Sequence, residues 1–187
     1  MTKLDAPIVA PLVARALIES DAGPIQAMFE SDPAYFELTQ GAPPGPAEVQ
    51  SLVAALPPDG DRGYEDKFLF ILLDGNEVAG VVDLIRDYPT PSTWYLGLIF
   101  LVPTQRGKGL GRAVLRGLYT WIAAQGGTAL RLGVVEGNAT ARWLYASEGF
   151  AFQAAREPDV AVKRVRRVLV LERPLLVRRG SFSQDSL

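Results

Sequence analysis

The chain of 187 residues contains neither cysteine nor histidine. Without cysteine it has no disulfide framework, no thiol nucleophile and no cysteine-based metal site. Without histidine it lacks the commonest zinc ligand, the commonest general base and every Ser-His-Asp arrangement. We therefore expect no metal site, and any chemistry has to use other side chains or the backbone.

The chain also lacks an excess of charge of either sign and any long apolar run. It has 19 basic and 21 acidic residues, a net charge of −2, which gives no reason to expect a nucleic-acid partner. Pro7, Pro11 and Arg15 interrupt the apolar N-terminal stretch, so we expect neither a signal peptide nor a membrane span there. This composition is typical of a cytoplasmic globular protein, with one domain over residues 1–177 and a polar tail over 178–187.

The apolar periodicity predicts strands alternating with helices, as expected for a mixed α/β (α+β) single domain. Asp74-Gly75-Asn76 separates two apolar runs and predicts a hairpin. The nearly continuous apolar run 94–102 is typical of a central strand covered on both faces. The predicted strands are 12–18, 68–73, 78–85, 94–102, 129–135, 150–155 and 165–172, and the predicted helices begin near 24, 33, 47, 109 and 138.

A glycine-rich basic loop follows the central strand after Pro103 and leads directly into a helix. Free backbone amides and the helix dipole converge at such a loop, so it favours an anion. The spacing is not that of a Walker A loop, and no acid follows at the distance expected of a dinucleotide fingerprint, since position 131 is Arg131. A tight strand-to-helix turn is the alternative interpretation; the prediction is a site for a phosphate-bearing ligand. Its residues are Arg106, Gly107, Lys108, Gly109, Leu110, Gly111 and Arg112.

A second constellation runs from Asn138 to Phe150 and contains Tyr145. Seven residues separate Asn138 from Tyr145, which places both near one face of a helix. Taken singly, Asn138 is explained as an N-cap and Tyr145 as a core aromatic residue. The combination of both residues with the preceding loop is a more specific indication of function than either residue alone.

With these two motifs, the sequence resembles the GNAT superfamily of acetyl-CoA-dependent N-acyltransferases. The family's pyrophosphate motif is matched by Arg106-Gly-Lys-Gly109-Leu-Gly111, and its later motif by Asn138, Ala141, Leu144-Tyr145 and Gly149-Phe150. The resemblance implies a mixed, mostly antiparallel sheet of about seven strands flanked by four or so helices.

The resemblance also implies roles for particular residues. Ile99, Phe100 and Leu101 would lie where a splayed strand pairs with the pantetheine amides of acetyl-CoA. The loop from Gly107 to Arg112, helped by Arg106, would hold the pyrophosphate. Asn138 would hydrogen-bond the CoA arm, and Tyr145 would lie near the sulfur and donate a proton to the leaving thiolate.

The sequence departs from better-known members at the residue that deprotonates the amine. Tyr95 and Gly133 stand where those members carry a glutamate. Asp83, Glu136, or a water linked to one of them are the remaining candidates for the base. Asp83 is otherwise explained as an exposed strand residue and Glu136 as a solvated loop charge.

The leading hypothesis is an N-acetyltransferase that moves an acetyl group from acetyl-CoA to a primary amine of a small molecule or peptide by direct attack. The alternative is a catalytically weak CoA-binding sensor or interaction module. Tyr35, Phe36 and Trp94, with Tyr64 and Tyr88, are expected to form an aromatic acceptor pocket, and Asp83 or Asp87 to attract a cation.

The last strands carry a basic cluster, 163–167, whose most favoured interpretation is the charged edge of a sheet; a docking surface is the alternative. A homodimer formed through these strands is an open expectation.

Overall fold

A seven-stranded sheet forms the centre of the computed structural model, which describes residues 5–56, 66–159 and 166–175. The strand order is β1-β2-β3-β4-β5-β7-β6, and among the described strands only β4 and β5 are parallel neighbours. The strands are β1 Val13–Ala16, β2 Lys67–Asp74, β3 Glu77–Ile85, β4 Thr93–Leu101, β5 Ala129–Val135, β6 Ala151–Arg156 and β7 Val168–Pro174.

Five α-helices cover the sheet within the described ranges. The long helix follows the glycine-rich loop, and Asn138 caps the last helix, as the sequence predicts. No helix in the described part of the chain is long and apolar enough to cross a bilayer. The helices are α1 Ala22–Glu30, α2 Pro33–Gln40, α3 Glu48–Ala54, α4 Leu110–Ala124 and α5 Ala139–Ser147.

The sheet separates two apolar cores. One lies under α4 and contains Trp94, Leu118 and Trp121; the other lies under α1 to α3 and contains Phe29 and Phe100. Successive side chains of a strand point to opposite faces, which is why one strand contributes to both cores.

Strand β4 changes register at Gly97. Asp83 of β3 pairs with Leu98, whereas the next residue, Leu84, pairs with Leu96, so Gly97 is the extra residue of a β-bulge. The parallel pairing of β4 with β5 also ends there, since its last pair is Leu96 with Leu132. Beyond this point β4 and β5 separate.

The structure confirms the predicted hairpin between β2 and β3, the central position of β4 and the antiparallel pairing of the last two strands. For Arg166 and Arg167 of the basic cluster the edge-strand interpretation is wrong, because β7 begins only at Val168 and lies between β5 and β6. Residues 163–165 of that cluster, Tyr64 and the polar tail lie outside the described residues.

Gly117 in the middle of α4 packs directly against the N-terminal segment. A Cβ at this position would collide with the backbone oxygen of Ile8 and lie 2.8 Å from the side chain of Val9. We expect Gly117→Ala to lower the free energy of unfolding by about 1–3 kcal/mol, because crowding outweighs the gain in helix propensity. Urea unfolding measures the effect.

Gly23 is a matched control in helix α1, where an added Cβ meets nothing within 4 Å. Gly23→Ala should stabilise the protein by a few tenths to about 1 kcal/mol. Equal effects of the two substitutions would contradict the close packing at Gly117.

Candidate active site

The opening between β4 and β5 exposes backbone polar groups. Val102 donates its N–H to Ala79 on β3, and alternate residues of a strand direct their polar groups to the same side. Phe100 therefore also turns its backbone to β3, whereas Ile99 and Leu101 turn theirs to the opening. Leu101 accepts a hydrogen bond from Arg106, whereas the N–H and C=O of Ile99 face no paired strand, because the pairing of β4 with β5 ends at Leu96 in the described structure.

A cavity of about 410 Å³ lies at this opening. Its walls come from α1 to α3 on one face of the sheet, from β3, β4 and β5, and from α5 on the other face, so the cavity extends through the gap. Six of the predicted catalytic, cofactor-binding and substrate-binding residues line it: Tyr35, Phe36, Asp83, Ile99, Asn138 and Tyr145.

The glycine-rich loop presents a run of free amides next to the end of β4. Gly107 and Gly109 have φ of +75° and +80°, a backbone conformation that glycine adopts without strain. Helix α4 begins at Leu110, and no described group accepts a hydrogen bond from the N–H groups of Gly107 to Gly111. Free amides in this arrangement are able to bind an anion, which is the role that the sequence predicts for the loop.

Two of the three predicted phosphate ligands have other partners. Arg106 lies 2.6 Å from Asp32 at the start of α2, and its guanidinium also lies over the ring of Phe100. Arg112 lies 2.7 Å from Glu148 just beyond α5. Lys108 is the only one of the three that forms no ion pair within the described part of the chain; it is exposed and donates a 3.3 Å hydrogen bond to Gln105.

The two motif residues of α5 differ in how far their polar groups are engaged. The Asn138 side chain accepts from the N–H of Ala141 at 3.1 Å, which is the N-cap interaction. Tyr145 packs its ring against Phe150, and no described group hydrogen-bonds to its hydroxyl. Burial raises the pKa of the Tyr145 phenol, so the hydroxyl keeps its proton at neutral pH.

Asp83 is buried rather than exposed, contrary to the simplest interpretation of a strand residue. Both its oxygens accept from the ammonium of Lys67 at 2.9 Å, and Lys67 also donates to the backbone oxygen of Ala55 at 2.7 Å. Burial raises the pKa of Asp83, and Lys67 opposes this shift only in part. The bulge makes room for this carboxylate, since a Cβ on Gly97 would lie 2.7 Å from it.

The two positions that lack a carboxylate lie side by side. A Cβ on Gly133 would be 3.1 Å from the hydroxyl of Tyr95 and 2.8 Å from Val168, so the tyrosine and the valine occupy the space beside the glycine. Burial raises the pKa of Tyr95, which remains a neutral phenol. A base has to come from elsewhere in the cavity.

Several residues that the sequence predicts for the base or the acceptor pocket lie away from the cavity. Glu136 lines a separate groove of about 680 Å³ beside α5, and its carboxylate lies 3.5 Å from Arg167. Trp94 is a core residue, 1% exposed, that packs against Trp121 under α4 instead of contributing to an acceptor pocket. Tyr88 packs against Tyr95 and does not line the cavity either.

Sequence reasoning missed Lys67 and Glu48, which lie at the cavity wall or directly behind it. A glycine within an apolar strand pattern is a known indication of a bulge, so Gly97 could have been recognised. No local pattern marks Lys67, because its partner lies 16 positions away in the sequence.

Comparisons with known proteins agree with this geometry. The sequence profile of the acetyltransferase (GNAT) family matches residues 27–150. Among solved structures, an acetyltransferase from Salmonella typhimurium that modifies the N-terminal serine of ribosomal protein L7/L12 has a TM-score of 0.73 and 17% identity, covering 92% of this chain and 100% of its own.

Two further structures show the same fold. The ribosomal-protein-S18-alanine N-acetyltransferase of Escherichia coli has a TM-score of 0.63 at 20% identity and covers 88% of this chain and 94% of its own. Spermidine N-acetyltransferase from Vibrio cholerae, solved with CoA and spermine, has a TM-score of 0.65 at 19% identity and covers 87% of this chain and 95% of its own. No curated protein sequence matches the chain.

The fold and the opening between β4 and β5 define an acyltransferase. The family profile spans more than half of the chain, and the protein belongs to the GNAT acetyltransferase family. The described residues contain no group of three or more acidic side chains that could hold a metal ion.

The buried pair of Lys67 and Asp83 leads to a prediction for stability against pH. In Lys67→Met the buried carboxylate loses its counter-ion, and its pKa in the folded protein rises further above the unfolded value. A carboxyl with a raised pKa contributes stability that is present below about pH 4 and lost as the pH rises through the folded-state pKa. We expect Lys67→Met to lower the free energy of unfolding by about 3–5 kcal/mol at pH 7 and by clearly less at pH 4.

Urea unfolding at the two pH values measures this difference. The double variant Lys67→Met/Asp83→Leu is the control, because it removes both charges and should recover most of the stability at pH 7. A loss independent of pH, or a double variant as unstable as the single one, would show that the pair does not behave as a compensated buried charge.

Proposed function

We propose that the protein transfers an acetyl group from acetyl-CoA to a primary amine by direct attack. The observation that carries the proposal is the opening between β4 and β5, which lies beside five free loop amides and contains the Tyr145 hydroxyl. An extended chain with amide groups can pair with the free backbone groups of Ile99, as a neighbouring strand would. The residues present therefore fit acetyl-CoA.

Each part of that molecule has a matching group on the protein. The amides of Gly107 to Gly111 and the ammonium of Lys108 would hold the pyrophosphate. When bound, acetyl-CoA supplies a thioester, and the net reaction forms an amide bond, breaks the C–S bond and releases CoA as a thiol. The N–H of Ile99 faces the gap and can donate to an oxygen that gains negative charge.

Two side chains in the cavity can move protons. The Tyr145 hydroxyl has a raised pKa and holds a proton that it can donate to a sulfur. Asp83 is the proton acceptor that we favour over Glu136, because Asp83 lines the cavity and Glu136 lines the separate groove. A carboxylate with a raised pKa is a better base at neutral pH than an ordinary one.

A specific observation favours a second candidate function, a CoA-binding sensor or interaction module with weak catalysis. Neither Tyr95 nor Gly133 can act as a carboxylate base, and Asp83 is already paired with Lys67. Release of free CoA with a panel of primary amines separates the two candidates, since a sensor would bind acetyl-CoA without turnover.

Binding at the loop can be tested with two glycines at opposite ends of α4. Acetyl-CoA at about 100 times its Kd should stabilise the protein by about 2.7 kcal/mol, or roughly 5–10 °C in Tm. Gly109→Asp should abolish this shift, because a carboxylate would stand beside the free amides.

Gly126→Asp is the matched control for that experiment. Gly126 has φ of +81°, Gly109 has φ of +80°, and neither has an atom within 4 Å of an added Cβ, so the two variants carry the same backbone strain. The control should keep the ligand-induced shift; loss of the shift in both variants would contradict a site at the loop.

The role of Tyr145 is tested by removing its hydroxyl. Tyr145→Phe should lower kcat by about 100-fold or more and change the KM for acetyl-CoA much less, because a proton donor acts in the transition state. Tyr119→Phe is the control, since Tyr119 packs under the guanidinium of Arg173 and lies outside the cavity. An unchanged rate in Tyr145→Phe would exclude the acid role.

A further inference from the structure

Two carboxylates line the cavity, and helix α3 separates them. Glu48 is the first residue of α3, and the Asp83 carboxylate is linked through Lys67 to Ala55 directly after the helix. At 1.5 Å per residue, the seven steps from Glu48 to Ala55 span about 10 Å. The cavity therefore has an acidic group near each end of α3.

The Asp83 end carries a compensated charge. Lys67 donates to both oxygens of Asp83 and to Ala55, which uses all three of its N–H groups. Tyr95 lies close enough to Asp83 to interact with its charge, and Tyr145 lines the same cavity; both are neutral phenols with raised pKa values. This end also adjoins Gly97 and Ile99 at the opening, so it suits a reacting amine that has to be neutral to attack.

Within the part of the chain that the structure describes, the charge at the Glu48 end has no counter-ion. The described groups from which Glu48 accepts are neutral, the Gln40 amide at 2.8 Å and the N–H of Gly45 at 3.3 Å. No described lysine or arginine pairs with it, and no lysine or arginine is among the described residues that line the cavity. A cation is the ligand group that fits this carboxylate.

Apolar surface connects the two ends. Leu52, one turn beyond Glu48 on α3, lines the cavity together with Phe29 and Phe36. A methylene chain would pack against this surface, whereas the carboxylate of an amino acid would meet Glu48 with no cation among the described lining residues. The cavity therefore selects against acceptors that carry an acid group.

We propose that the acceptor is a linear amine with a second cationic group, which Glu48 binds about 10 Å from the reacting nitrogen. This inference rests on the proposed acetyltransfer and names its substrate class. Glu48 is the residue that determines specificity, and Asp83 with Lys67 is the neutral end at which the reacting amine enters.

The experiment compares two acceptors of equal length, an eight-carbon terminal diamine and octylamine, by the release of CoA. The diamine should have a kcat/KM about five- to tenfold higher than octylamine, and this preference should decrease with added salt. In Glu48→Gln the ratio of the two kcat/KM values should fall towards one through a higher KM for the diamine. Glu37→Gln, which removes an exposed charge on α2 that does not line the cavity, should keep the wild-type ratio.

The outcomes separate this inference from the function on which it rests. No preference for the diamine, or a preference that survives in Glu48→Gln, overturns the assignment of Glu48 while leaving acetyltransfer intact. Binding of acetyl-CoA without CoA release for any amine overturns both. Because the salt dependence of the preference is measured on the wild-type protein, the inference remains testable if Glu48→Gln does not fold.

Discussion

The separation of β4 and β5 is the constraint on which the rest of the site depends. Each strand keeps its outer neighbour through the separation, because β4 stays paired with β3 as far as Leu101 and β5 stays paired with β7 as far as Val135. Only the inner ladder is lost, and the backbone groups of Ile99 are left without a partner. Unpaired backbone groups away from water cost free energy unless a ligand satisfies them, so the fold itself creates a site for a chain that resembles a strand. The same strand leads into the loop of free amides. The backbone groups of Ile99 and the loop amides therefore lie one after the other along the path that a bound chain would follow.

Two cations of the glycine-rich loop form ion pairs with carboxylates of neighbouring elements. Arg106 joins the loop to the start of α2, and Arg112 joins α4 to the end of α5. Since α2 carries Tyr35 and Phe36 and α5 carries Tyr145, these two ion pairs hold the walls of the cavity against the loop. The backbone amides and Lys108 remain available to an anion. Charge in a glycine-rich loop can therefore serve packing, and only the contacts of each side chain distinguish a packing role from a binding role.

Local signals in the sequence predict the elements of this protein well. The turn at Gly75, the loop that precedes α4 and the cap at Asn138 each depend on a few neighbouring residues, and the structure contains all three. The faces of β4 could not be predicted in the same way, because the bulge at Gly97 reverses the alternation. Before the bulge, Trp94 faces the core under α4; after it, Phe100 faces the core under α1 to α3, although the two are an even number of residues apart. A strict two-residue period therefore cannot predict the face on which Trp94 lies. The choice between Asp83 and Glu136 as the proposed base also depends on contacts between residues distant in the sequence.

The same bulge gives the cavity a carboxylate in a chain that has none at Tyr95 and Gly133, the two positions where the resemblance implies one. Tyr95 and Val168 fill the space beside Gly133, whereas the extra residue in β4 leaves a gap beside the neighbouring strand β3, and Asp83 occupies it. Without a counter-ion, desolvation would either keep a buried carboxyl protonated or, if the group stayed charged, destabilise the fold. In the first case the group cannot accept a proton from an amine, and in the second its charge costs stability. Lys67 offsets part of that desolvation, so Asp83 keeps a raised pKa without being an isolated buried charge. In the function that we propose, Asp83 acts as a base on β3 and needs this lysine, whereas a carboxylate open to solvent on β4 or β5 would not. The proposed position of the base and the presence of Lys67 are therefore one structural feature.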